Sequence, residues 1–165
     1  MNSKSESAAE FPGNYRLHVA LTVSNLEASR RFYEILFREG PVKERPRYAK
    51  FEPVDPSVNL SLNETSEKIV VEGGSAHFGI QVKSVAEVHA ALERFRNAGF
   101  ETLTEEATTC CYAVQDKVWV VDPDGHKWEV FVVLKSDAKD DLYEKSGCCG
   151  PDLQQLTIGK SRSCS

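Results

Sequence analysis

Apolar and polar positions alternate along His18-Val-Ala-Leu-Thr-Val23, the signature of a strand with one buried face. After Ser24-Asn-Leu-Glu27 the spacing becomes helical and runs to Phe37. The same order returns later: His77-Phe-Gly-Ile-Gln-Val82, Ser84-Val-Ala-Glu87, then helical spacing to Phe95. The histidines are offset by 77 − 18 = 59 residues and the serines by 84 − 24 = 60, so the chain contains an internal repeat. Both Ser-x-x-Glu sequences predict a capping box, which satisfies the first free amides of a helix. Gly40, followed by Pro41, and Gly99 predict the two helix ends, because glycine accepts the left-handed conformation found there.

Strand patterns follow each helix. The first half shows them near 48–53 and 58–63; the second near 102–103, 112–122 and 127–134. Asp124-Gly125 marks a tight turn between the last two. Each half therefore predicts a βαβββ unit, and the fold class is α+β. Neither half is long enough to bury a sufficient core alone, whereas two together are. The expected boundaries are one domain over residues 14–135, with modules at about 14–64 and 75–135. A tail over 136–165, rich in Gly, Ser and Cys, is expected to be flexible.

Composition narrows the function without naming it. The 165 residues suit one domain, and 41% hydrophobic with 27% charged residues is ordinary for a globular protein. A net charge of −5 supplies no basic face for nucleic acid. No apolar run reaches the roughly 20 residues that span a bilayer, and the N-terminus lacks a signal-peptide core, which predicts a cytoplasmic protein with no membrane partner. Five cysteines, two pairs of them adjacent, suit reactive or metal-binding thiols better than structural disulfides in a reducing compartment.

The candidate chemistry lies in two sets of side chains. His18, His77 and Glu129 form a prospective metal and catalytic triad: two imidazoles and one carboxylate can occupy one face of an octahedral ion and leave positions open for substrate and dioxygen, as in non-heme Fe(II) sites. A single strand-opening histidine is usually a structural residue, but here both halves place one at the same point. Glu129 lies between Trp128 and Val130 in an apolar strand, where a carboxylate is costly unless paired, protonated or metal-bound. Pseudo-twofold packing would bring His18 and His77 face to face. The first-half counterpart of Glu129 falls near residues 59–61, where no carboxylate or imidazole stands, so three protein ligands are expected rather than four. His89 and His126 are expected at the surface.

The second set is Cys110-Cys111, between a threonine-rich stretch expected to be a loop and a strand. Adjacent thiolates can chelate a soft centre, while imidazole and carboxylate suit iron. Lys117 is a candidate positive neighbour for them. The segment from about 104 to 112 is expected to close over a bound substrate. Cys148, Cys149 and Cys164 are accessory thiols, either relaying substrate to Cys110-Cys111 or incidental to the tail.

The repeat, the two histidines and Asp122-Pro-Asp-Gly-His-Lys-Trp-Glu129 resemble the vicinal-oxygen-chelate superfamily, with its glyoxalase/bleomycin resistance-type fold. Within it, Thr108-Thr-Cys-Cys-Tyr-Ala-Val-Gln-Asp-Lys-Val-Trp-Val-Val-Asp-Pro-Asp-Gly-His-Lys-Trp-Glu-Val130 resembles the carbon–arsenic lyases, a group that includes proteins called cadmium-induced. The resemblance covers about residues 14–135. It implies cleavage of the carbon–arsenic bond of trivalent organoarsenicals such as methylarsenite, with Fe(II) and dioxygen, giving arsenite and an oxidised carbon fragment in organoarsenical detoxification. It implies His18, His77 and Glu129 as metal ligands, with His18 replacing a glutamine found in some relatives, and Cys110 and Cys111 as the substrate-binding thiols. Other divalent metals could occupy such a site in vitro, and a homodimer is compatible with it. Two rival functions use parts of the same pattern: a protein that sequesters cadmium or arsenite through its cysteines, and another metal-dependent glyoxalase-like enzyme.

Overall fold

The computed structural model describes residues 9–69, 76–110 and 113–136. Two modules repeat one plan. In the first, β1 (Leu17–Val23), α1 (Leu26–Phe37), β2 (Lys43–Arg45), β3 (Tyr48–Phe51) and β4 (Val58–Glu64) form a sheet of order β1-β4-β3-β2. In the second, β5 (Phe78–Gln81), α2 (Val85–Asn97), β6 (Thr102–Cys110), β7 (Ala113–Val121) and β8 (Lys127–Lys135) give the order β5-β8-β7-β6. In each module the first strand pairs parallel to the last, a crossover that the intervening helix makes possible. β1 and β5 are consequently edge strands.

Period-two alternation then decides what faces inward. On β1, Leu21 and Val23 are buried while His18, Ala20 and Thr22 are exposed. On β8, Trp128, Val130 and Val132 enter the core, which turns Glu129 and Phe131 to the other face. The inner faces of both sheets share one core with the helices. Phe32 of α1 packs against Phe95 of α2 at 5.7 Å between ring centres, and Tyr33 of α1 meets Trp128 of β8 at 5.8 Å.

The helix ends depart from the expected pattern. The N-cap of α1 is Asn25, whose side chain accepts from the Ala28 amide at 2.9 Å. Ser24 instead donates its backbone N–H to Asp124 in the β7–β8 turn, at 2.9 Å. The observed N-caps are offset by 84 − 25 = 59, the same as the histidines. At α2 the box forms: Ser84 accepts from the Glu87 amide, and Glu87 accepts from the Lys83 amide and the Ser84 hydroxyl. Those bonds, led by the Lys83 amide, hold the Glu87 carboxyl below its usual range. The C-cap of α1 is Arg38 at φ 60°, not Gly40, whereas Gly99 at φ 85° follows α2 as expected.

The threonine-rich stretch is the largest correction. Residues 104–110 continue β6 instead of forming a loop, since β-branched threonines favour a pleated strand. A register shift between Glu105 and Thr108, with Ala107 at φ 48°, breaks the alternation that would have revealed the strand. Asp116 accepts the Ala107 amide at 2.6 Å and secures the bulge.

Candidate metal centre

Sheet register places His77 and Glu129 together on the outer face of the second module. Gly79 pairs with Glu129, and His77 immediately precedes the same strand, β5. His77 Nε2 lies 3.4 Å from Glu129 Oε1. Two ligands each about 2.1 Å from an ion at roughly a right angle are about 3.0 Å apart, so a separation near this value suits adjacent corners of one coordination sphere. The His77 ring meets Trp119 edge-on at 5.0 Å, and Trp119 donates its indole N–H to Glu105 at 2.9 Å.

Lys117 completes this group. Its Nζ donates to Glu129 Oε2 at 3.1 Å, with side-chain exposures of 3% and 8% for the pair. The ammonium sits 5.4 Å from the Trp119 ring centre and 6.0 Å from that of Phe131. A carboxylate this buried needs a partner, and Lys117 provides one while leaving Oε1 turned toward His77. Lys117 as a positive neighbour of Cys110-Cys111 falls on thiols outside the described residues; its described partner is Glu129, which cross-strand geometry supplies because Lys117 faces Phe131 and Trp119 faces Glu129 in the β7–β8 register.

His18 lies on the outer face of the other sheet. It is exposed, and its Nδ1 is 3.0 Å from the carbonyl oxygen of Asn59, its register partner on β4. Donation from Nδ1–H to that carbonyl fixes the tautomer and leaves the Nε2 lone pair available to a metal. Among the described residues, however, no group of three or more His, Cys, Asp or Glu converges. Within one chain the structure joins two of the three expected ligands and leaves His18 apart, because the modules pack through their helical sides rather than with the two histidines facing. In the first module the position equivalent to Glu129 is Ser61, two residues beyond the His18 partner Asn59, and its hydroxyl is 3.3 Å from the Tyr48 hydroxyl.

Cys110 ends β6 opposite Ala113, at the tip of the hairpin whose β7 arm carries Lys117 and Trp119. Its side chain, together with Cys111, Cys148, Cys149 and Cys164, lies outside the described residues. His126 is not the surface residue expected: Asp122, fully buried, lies 2.9 Å from its Nδ1 and accepts its backbone amide at 2.8 Å. Asp122 also accepts the Tyr33 hydroxyl at 2.7 Å, which ties α1 to the second module. Burial above all, then the Asp122 charge, raises the Tyr33 phenol well above its ordinary value, so it remains a donor.

Residues 16–130 match the model of the glyoxalase/bleomycin resistance protein/dioxygenase superfamily. A protein of Bacillus sp. (strain MD1) named trivalent organoarsenical cleaving enzyme is 42% identical over 150 residues, 90% of this chain and 89% of that protein. One of the same name from Thermomonospora curvata is 45% identical over 138 residues, 82% and 89% of the two chains. The cadmium-induced protein CadI of Mycobacterium bovis is 45% identical over 120 residues, 72% and 76%. Among solved structures, a glyoxalase/bleomycin resistance protein/dioxygenase from Alicyclobacillus acidocaldarius superposes with TM-score 0.60 at 14% identity, covering 74% of this chain and 93% of that one; it speaks to the fold alone.

Proposed function

The chain belongs to the glyoxalase/bleomycin resistance protein/dioxygenase superfamily, and from that premise we propose that it is an enzyme cleaving the carbon–arsenic bond of trivalent organoarsenicals with Fe(II) and dioxygen. The observation that carries the reading is the 3.4 Å approach of His77 Nε2 to Glu129 Oε1, two donors of the iron-binding type, in a chain 42–45% identical to proteins named for this activity. A sequestering protein would use the cysteines and leave that pair without a role. A glyoxalase-like isomerase would have no use for Cys110-Cys111.

We propose His18 as the third ligand, supplied as His18 of the partner subunit in a homodimer. Both β1 and β5 are edge strands with backbone groups available for pairing. Tyr15 and Leu17, just before His18, expose 91% and 66% of their surface, an apolar patch suited to an interface. Two such chains related by a twofold axis would form two equivalent centres.

Cys110 and Cys111 bind the arsenical as a chelate, which orients its carbon substituent and replaces a chance encounter with a held geometry. Lys117 retains Glu129 Oε2, and Trp119 limits how far the His77 ring can turn. Iron bound by the triad would supply activation of dioxygen at its open positions. For methylarsenite the balance closes with arsenite and formaldehyde, since one dioxygen provides both added oxygen atoms and no other reductant is required.

Anaerobic loading with Fe(II), addition of methylarsenite and then exposure to air should yield arsenite and equimolar formaldehyde. Cys110→Ser should abolish turnover with iron binding intact. Glu129→Ala should lose iron and turnover yet still bind arsenical. Full activity in Glu129→Ala would remove the catalytic assignment.

A further inference from the structure

Gly79 is the residue of β5 paired with Glu129. A Cβ at that position would lie 3.1 Å from Glu129 Oε1, 3.1 Å from Phe131 Cε1 and 3.2 Å from Glu129 Cγ. No backbone requirement explains the glycine: among the described residues the positive-φ glycines are Gly13, Gly99 and Gly125. A glycine inside a strand weakens it, through extra chain entropy and the absence of a side chain to pack. The neighbours that occupy the space of the missing side chain are the Glu129 carboxylate and the Phe131 ring.

We propose that Gly79 is a positioning residue of the metal centre, its absent side chain providing the space that lets Glu129 Oε1 turn toward His77 Nε2 while Lys117 holds Oε2. Glu129 cannot yield easily to a methyl group here. Lys117 restrains the far oxygen at 3.1 Å, and the Phe131 ring closes the other side of the space. A side chain at residue 79 therefore rotates the carboxylate away from His77 or breaks its bond to Lys117. The inference rests on the proposed metal centre and adds a residue that is neither ligand nor substrate contact.

The test uses the full chain and anaerobic titration with Co(II), whose visible spectrum reports ligand number, alongside thermal melting of the metal-free protein. Gly79→Ala should bind Co(II) at least about tenfold more weakly, the scale of loss seen when a ligand's support is disturbed. Its metal-free melt should stay cooperative and fall no further than that of Lys117→Met, which removes the Glu129 partner outright, because the added methyl displaces the carboxylate without deleting either charge. Arsenical capture should be unaltered. If Gly79→Ala fails to fold, Gly79→Ala/Phe131→Leu relieves the ring contact and is compared with Phe131→Leu alone, again with weaker Co(II) binding expected. Wild-type Co(II) affinity in Gly79→Ala, or in the double variant relative to Phe131→Leu, overturns the inference. Glu129→Ala separates the two levels: if it binds Co(II) like the wild type, the metal centre itself falls, whereas lost binding there with intact binding in Gly79→Ala removes only the role of Gly79.

Discussion

Lys117 shows how much one side chain can hold. It is nearly inaccessible, and its one ion pair among the described residues is to the Glu129 carboxylate. Removing one member of a buried pair leaves the other charge uncompensated, a loss of about 3 kcal/mol or more. Lys117→Met should destabilise the metal-free protein by that order in urea unfolding, and saturating divalent metal should recover part of the loss, since the ion replaces the ammonium as the counter-charge of Glu129. His77 and Glu129, which the structure brings to 3.4 Å, were legible as candidates from an imidazole at a repeated strand start and a carboxylate in an apolar strand. The bond from Lys117 was not, because lysine in an alternating strand reads as solvent-facing, and only the β7–β8 register reveals that it lies under Glu129.

Among the elements, the β7–β8 turn acts as the clasp between modules. Asp122 gathers the Tyr33 hydroxyl, the His126 ring and two turn amides, while Asp124 accepts the Ser24 amide and, at 3.2 Å, the Ser29 hydroxyl. The hydrogen bond to Asp122 raises the His126 pKa above its ordinary value, against the opposing effect of burial. A folded-state pKa above the unfolded one contributes stability in full below the unfolded value, about 6.5, and that contribution disappears as pH rises through the folded pKa. The melting temperature should therefore lose this contribution as pH is raised from about 6.5, and His126→Gln should flatten that part of the profile. The βαβββ order was legible from periodicity and from the Asp-Gly turn. Only the first two residues of β6 were legible, because its bulge interrupts the alternation beyond them, and the first helix start was displaced by one residue because Ser24 serves the neighbouring module while Asn25 caps the helix.

At the scale of the molecule, alternation assigns each residue to a face but does not say which faces meet. That is why the repeat made His18, His77 and Glu129 visible while one chain unites only the latter two. The proposed partner contribution has a genetic-style test in vitro. His18→Ala and Glu129→Ala should each be inactive as homodimers. After mixing and subunit exchange, statistical pairing gives mixed dimers with one intact and one doubly damaged centre, so activity should return to about a quarter of the wild-type level. A centre confined to one chain would give no recovery.

Among the described residues, the two sheets and helices share one core within a single polypeptide, whereas His18 and the His77–Glu129 pair stand on the faces turned away from it. On the proposed assembly, folding and competence are therefore separable. A sufficiently dilute sample would hold protein with normal circular dichroism and a cooperative melt, yet turnover per chain would fade with dilution, and no measure of secondary structure would register the change.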